Sequence, residues 1–161
     1  MKLSNLSNWI TVGANVGVLI GLAILILELN QNTRIAQTSA YQELVTQIVE
    51  LNKLEASNPE LAEIIYRGHL DASALTPVET RRMINMTRVI YRQGDLGYYQ
   101  FVTGLISEDR MVSTLGPIRA WLLTDIGKQG WDSMRPNFTG DYIDYVENMM
   151  AGMEPDSPFW K

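Results

Sequence analysis

Side chains capable of acid–base, nucleophilic or metal chemistry are few in this chain. His69 is the only histidine, and Gly68-His69-Leu70-Asp71 matches no nucleophile motif. Two carboxylate pairs have the spacing of helical neighbours, Glu60/Glu63 and Asp141/Asp144. We expect these pairs to lie in first turns of helices, where negative charge is stabilised. Phosphate-binding glycine motifs and the Glu-x-x-His pair of di-metal bundles are absent. The residues predict no catalytic, cofactor or metal site.

Three arginines, Arg81, Arg88 and Arg92, recur at a spacing that places them roughly on one face of a helix. Such a row is either bridged to acidic neighbours on the surface, or it contacts anionic lipid headgroups or an acidic partner. Both interpretations remain open at this point.

Nine aromatic residues lie between positions 91 and 145. We expect them to form core rather than a pigment or ligand pocket, because large rings dominate the buried area of small domains. They are Tyr91, Tyr98, Tyr99, Phe101, Trp121, Trp131, Phe138, Tyr142 and Tyr145.

An uncharged apolar stretch near the start, Trp9 to Leu27, precedes all of these residues. About 20 helical residues span the roughly 30 Å hydrocarbon core of a bilayer, so we predict a transmembrane helix over 9–28. A cleaved signal peptide is the main alternative, but its apolar region has only about 7–15 residues and ends at a small-residue cleavage site. A buried core helix is the second alternative.

Gly13, Gly17 and Gly21 recur at every fourth position and therefore line one face of this helix. Small residues at that spacing let two membrane helices approach closely, although glycine is also common in membrane helices generally. Asn15 is the only strongly polar side chain in the stretch and would favour an interhelical hydrogen bond or a wet cavity. Trp9 is placed to meet the lipid headgroups.

The remainder predicts a single all-α domain. No segment alternates polar and apolar residues with period two, so no strand is expected. Proline is absent until Pro59, and one helix is therefore expected from about Asn8 to Glu55, leaving the membrane as a stalk. Its apolar stripe is Tyr41, Leu44, Val45, Ile48 and Leu51. Asn58, Thr76 and Thr139 are predicted helix caps, and Gly94 and Gly97 are predicted bends. The predicted organisation is a polar flank over 1–8, a transmembrane helix over 9–28, a helical-bundle domain over 29–152 and a tail over 153–161.

The net charge of the chain indicates which classes of partner it can bind. The net charge is −5, and Lys2 is the only charged residue before Glu28, so the domain is acidic and no nucleic-acid partner is expected. The chain has no cysteine, which excludes disulfides and thiol catalysis. The basic residues that flank the apolar stretch are balanced, with Lys2 before it and Arg34 after it. The excess of positive charge that would mark the cytoplasmic side is therefore missing, and the membrane orientation stays open.

The layout resembles a group of uncharacterised small bacterial membrane proteins. The resemblance is carried by Gln31-Asn32-Thr33-Arg34 after the apolar helix, Pro59-Glu60-Leu61-Ala62 at a helix start, Tyr98-Tyr99 late in a long helix, Trp131, and the Phe138 to Tyr142 segment. It implies a bacterial single-pass protein of the inner membrane, and it favours the cytoplasmic over the opposite side for the helical domain. It implies no activity and no cofactor.

Together these features predict a non-enzymatic, membrane-anchored accessory or assembly subunit. Its expected partners are membrane lipid and either other membrane protein subunits or further copies of itself. One alternative is a homo-oligomeric channel or signalling module with Asn15 along a wet axis. Another is an enzyme at the membrane surface that uses tyrosine, arginine and carboxylate groups.

Overall fold

The computed structural model describes residues 2–152, with side chains from Trp9 onward, and this part of the chain is helical except for short turns and loops. The helices are α1 (Lys2–Ser57), α2 (Pro59–Leu70), α3 (Pro77–Val102), α4 (Glu108–Leu122), α5 (Asp125–Met134) and α6 (Gly140–Ala151), with 3-10 turns at Ala72–Ala74 and Arg135–Asn137. Residues 2–152 contain no strand, which confirms the predicted all-α fold. The predictions for the side chains of 1–8 and for the tail over 153–161 lie outside the described residues.

The three predicted caps occupy the N-cap positions of α2, α3 and α6, and the first two make capping hydrogen bonds through their side chains. The Asn58 side chain accepts a hydrogen bond from the backbone N–H of Leu61 at 3.0 Å. Thr76 and Glu79 form a reciprocal capping box, with the Thr76 N–H 2.8 Å from the Glu79 carboxylate and the Glu79 N–H 3.3 Å from the Thr76 hydroxyl. Thr139 is the N-cap residue of α6, as predicted, although its side chain makes no capping hydrogen bond. These caps satisfy backbone donors that the first helical turn leaves unpaired.

The chain divides into two compact units, one ending at Ser39 and the other beginning at Ala40. The first unit is helical and every described residue from Trp9 to Ser39 is exposed. Among the described residues, one helix is long and apolar enough to cross a membrane, and its apolar stretch lies in this unit.

The second unit is a helical bundle built around α3, which packs on both α4 and α5. Gly94 and Gly97 do not interrupt α3, which is a single helix. They are instead positions of close packing: a Cβ atom at Gly94 would collide with the side chains of Ile118 and Tyr142. At Gly97 it would lie 3.3 Å from Cγ2 of Thr114. Glycine is therefore required here for helix proximity rather than for a bend.

The aromatic core lies where α3, α5 and α6 meet. The Tyr91 hydroxyl donates to the Gly127 carbonyl at 2.7 Å, and the Tyr142 hydroxyl donates to the Tyr91 carbonyl at 3.2 Å. The Trp131 ring stands edge-on to both tyrosine rings, with centroids at 5.4 and 6.1 Å. Burial raises the pKa of both phenols, which stay neutral donors.

Most of the predicted aromatic set is buried or half-buried in this core. Tyr99 is the exception, with 61% of its surface exposed, so its prediction as a core residue is wrong. It follows Tyr98 directly on α3, and only Tyr98 faces α6, where its ring lies 5.2 Å from that of Tyr145.

The part of α1 that belongs to the second unit packs through one narrow face. Leu44 is buried, and its carbonyl accepts a hydrogen bond from the Gln93 side chain at 3.3 Å. The Arg110 guanidinium lies 3.8 Å from the centre of the Tyr41 ring. Val45 was predicted on the same stripe but remains 38% exposed, so that assignment is wrong. A helix turns about 100° per residue, and only the Leu44 side meets the bundle.

The packing of α1 predicts very different costs for truncating two adjacent side chains. Leu44→Ala should lower the free energy of unfolding by about 2–5 kcal/mol, because it leaves a cavity in the core. Val45→Ala removes an exposed side chain and should change it by no more than about 0.5 kcal/mol. Urea denaturation of the full chain in neutral detergent, followed by tryptophan fluorescence, measures both. Equal effects would show that α1 is not packed as described.

The capping box predicts an acid-sensitive component of stability. The Thr76 backbone N–H and the Arg67 guanidinium hold the pKa of Glu79 at about 2, below its ordinary 4.5. A lowered carboxyl pKa stabilises the fold above pH 4.5, and that contribution is lost as the pH falls toward 2. Glu79→Gln should therefore melt lower than the wild type at pH 6, and the two melting curves should converge near pH 2. A difference that stays constant over this range would contradict the assignment.

Candidate functional site

The glycine face of α1 is open. A Cβ atom placed at Gly13, Gly17 or Gly21 would have no heavy atom of the described residues within 4 Å. Four glycines of the bundle, at 94, 97, 127 and 130, lie against a side chain or backbone of another segment, whereas a Cβ atom at 104, 116 or 140 would have no such neighbour within 4 Å among the described residues. The helix spacing keeps these three glycines of α1 on one side, as predicted from their period of four.

Asn15 does not lie on the glycine face. At about 100° per residue it is rotated roughly 160° from the mean direction of the three glycines. It is exposed, on the same side of the helix as Thr11. The helix therefore presents a small-residue face and, opposite to it, a face with a polar amide. Trp9 is 74% exposed at the beginning of the apolar stretch, and its role at a membrane interface stays a prediction.

The three predicted arginines have different surroundings on α3. Arg92 contacts the Asp95 carboxylate at 3.1 Å and the Asn137 carbonyl at 3.2 Å. Its guanidinium also lies 4.6 Å from the centre of the Phe138 ring. Arg88 reaches only the Asn85 side chain, at 3.5 Å.

Arg81 and Arg88 take part in no ion pair among the described residues. Salt bridging thus accounts for Arg92 alone. Arg88 and Arg92 line one surface groove together with Val89 and Leu96 of α3, whereas Arg81 is not part of its lining.

Two further lining residues, Gln47 of α1 and Gln93 of α3, were not predicted from the sequence. The spacing of 88, 89, 92 and 96 is visible in the sequence as a mixed basic and apolar strip. The contribution of Gln47 is not, because it comes from a helix more than 40 residues earlier, through the contact between Leu44 and Gln93.

His69 lies in the last turn of α2, half-buried, with its ring edge-on to Trp121 at a centroid distance of 4.5 Å. Burial lowers the pKa of its imidazole below the usual 6.5. The predicted carboxylate pair nearer the start of α2 is engaged in ion pairs, Glu60 with Arg82 at 2.9 Å and Glu63 with Arg67 at 3.4 Å. Residues 2–152 contain no group of three or more metal-binding side chains.

Comparison of the chain with protein-family models, with curated proteins and with solved structures gives no match. The features that bear on function are therefore those of the chain itself: an apolar helix with an open glycine face, and a groove lined by two arginines.

The surroundings of His69 predict a loss of stability in mild acid. Because the folded state lowers the imidazole pKa, the unfolded chain takes up a proton first as the pH falls below about 6.5, and this uptake favours unfolding. The wild type should therefore lose melting temperature between pH 7.5 and 5.5. His69→Phe, which retains a ring against Trp121, should lose less over the same interval. Equal losses in the two proteins would refute this role of His69.

Proposed function

We propose that this chain is a non-enzymatic, single-pass membrane protein that serves as an accessory or assembly subunit of a larger membrane complex. The single observation that carries the proposal is the open glycine face of an exposed apolar helix. The proposed location is the bacterial inner membrane, with the domain on the cytoplasmic side, in keeping with the resemblance drawn from the sequence.

Exposure of the apolar stretch supports the membrane location. Trp9, Leu19 and Leu27 each have about two thirds or more of their surface exposed. Burying apolar surface is worth about 25 cal/mol per Å², so such a helix in water would be strongly unfavourable. Residues 9–28 provide about 30 Å of helix, which matches the hydrocarbon thickness of a bilayer.

The glycine face supports a role in association. Glycine within a helix costs about 0.5–1 kcal/mol relative to alanine, and the three glycines have no neighbour within the described chain that offsets this. In lipid, close backbone approach at small residues is a principal source of helix–helix attraction. A partner helix that packs on Gly13, Gly17 and Gly21 would provide that compensation.

The position of Asn15 favours a subunit role over the homo-oligomeric channel or signalling module. Copies of the chain that packed through their glycine faces would turn Asn15 away from the shared axis, by about 160°. Asn15 would then lie in lipid, where an unpaired amide is unfavourable. A partner with more than one membrane helix would cover the glycines and satisfy Asn15 as well. The channel remains the second candidate function.

The test compares two substitutions to isoleucine, one on the glycine face of the helix and one away from it. Gly17→Ile should disperse the complex, because the added side chain prevents close approach. Ala23→Ile is the matched control, since position 23 is rotated about 120° from the mean direction of the three glycines. Each full-length variant is solubilised in mild detergent and separated by native electrophoresis, and the band that contains the chain is identified by mass spectrometry.

A wild-type band that contains other membrane proteins and is lost only in Gly17→Ile would support the accessory subunit. A band of this chain alone, at several times the monomer mass, would favour the homo-oligomeric alternative. Unchanged complexes in Gly17→Ile would overturn the role of the glycine face.

A further inference from the structure

A cleft in the helical bundle opens between α1, α3 and α4, and all of its lining belongs to the second unit. Its volume is about 80 Å³. Six apolar side chains form most of its walls: Ile48, Leu51, Met86, Ile90, Pro117 and Trp121. Three polar side chains complete the lining: Asn52, Glu55 and Gln93. Because water against apolar walls is unfavourable, the cleft suits a ligand that has a hydrocarbon part.

The floor of the cleft is apolar and fixed in place. Ile90 and Trp121 are both only 6% exposed, and the Trp121 ring stands edge-on to His69 at a centroid distance of 4.5 Å. Gln93 is buried as well, but its side-chain amide already donates a hydrogen bond to the Leu44 carbonyl at 3.3 Å. The floor therefore accommodates hydrocarbon better than a charged group.

The rim of the cleft carries a carboxylate that no cation neutralises. Asn52 is exposed and Glu55 is half-buried, and both come from the last turns of α1. Among the described residues, Glu55 forms no ion pair, and the lining of the cleft includes no basic side chain. The Glu55 carboxylate and the Asn52 amide oxygen both accept hydrogen bonds. An ammonium group supplies three N–H donors and a positive charge, so it matches this rim.

The size of the cleft limits the hydrocarbon part of the ligand. A cavity of about 150 Å³ holds a benzene molecule, so a volume of about 80 Å³ leaves room for roughly four carbon atoms. The lysine side chain of a partner protein has a hydrocarbon chain of this length. It would enter with its ammonium first, however, and so carry the charge to the apolar floor. A free alkylamine can enter with its hydrocarbon end first and leave its ammonium at the rim.

We propose that this cleft binds one small primary alkylammonium ion, with about four carbons against Ile90 and Trp121 and the ammonium beside Glu55. The net charge of −5 raises the concentration of such cations near the chain. The inference does not depend on the proposed membrane role, because every residue that lines the cleft belongs to the bundle.

The test titrates n-butylammonium chloride into the isotope-labelled full chain in neutral detergent micelles and follows its backbone and indole N–H signals by NMR. We expect saturable shifts at Asn52, Glu55 and the Trp121 indole, with a dissociation constant in the millimolar range for a ligand of about five non-hydrogen atoms. Glu55→Gln should weaken binding roughly two- to fivefold, since it removes one charge pair at the rim.

The matched control is Glu50→Gln, which makes the same change on α1 at an exposed position outside the cleft. It should bind n-butylammonium like the wild type. An unchanged pattern of N–H signals in the absence of ligand establishes that each variant is folded.

Several results would overturn the inference. Equal weakening in Glu50→Gln would mean that only net charge matters. Binding of n-butanol with the affinity of n-butylammonium would show that the cleft takes hydrocarbon without recognising a charge. Tighter binding of acetyl-lysine amide, which carries a free side-chain ammonium, would assign the cleft to a lysine of a partner protein instead. Shifts that do not saturate, or that saturate only at residues away from the cleft, would exclude the site.

Discussion

The bundle depends on the close approach of helix backbones at positions that have no side chain. Gly94 of α3 lets Ile118 and Tyr142 reach the helix, and Gly127 of α5 lies directly against the carbonyl of Trp121. At these distances the buried Tyr91 hydroxyl can reach the Gly127 carbonyl. A buried hydroxyl without a partner would cost about 1–3 kcal/mol, so glycine spacing and polar satisfaction are two parts of one arrangement.

A different physical constraint governs the first unit. Its residues are exposed over a continuous apolar stretch, which is long and apolar enough to cross a membrane. Within lipid the hydrophobic effect no longer drives helices together, so small residues and amides become the main determinants of association. The glycines that matter to packing therefore differ between the two units: Gly94 and Gly127 lie against other segments of the bundle, whereas the three glycines of α1 have no neighbour within 4 Å among the described residues.

Electrostatics adds a local exception to an acidic chain. Most basic groups of α2 and α3 are matched by nearby carboxylates, as in the Arg67–Glu79 and Arg82–Glu60 pairs. The groove at Arg88 and Arg92 is less completely neutralised, because Asp95 pairs with Arg92 alone.

Sequence rules that act within a few helical turns were sufficient to predict the features that depend on neighbouring residues. The all-α class, the caps at Asn58 and Thr76, and the apolar helix follow from periodicity, capping chemistry and length, each of which acts within a few turns. These local rules do not determine whether Val45 or Tyr99 is buried, and both were wrongly predicted to face the core. A stripe of apolar residues spaced three and four apart spans a wide arc, and only the neighbouring helices determine which part of that arc is covered. Gly94 was predicted as a bend because the side chains that pack against it, Ile118 and Tyr142, come from distant parts of the chain. For the same reason the sequence showed the groove only as a row of arginines, since Gln47 reaches it from another helix.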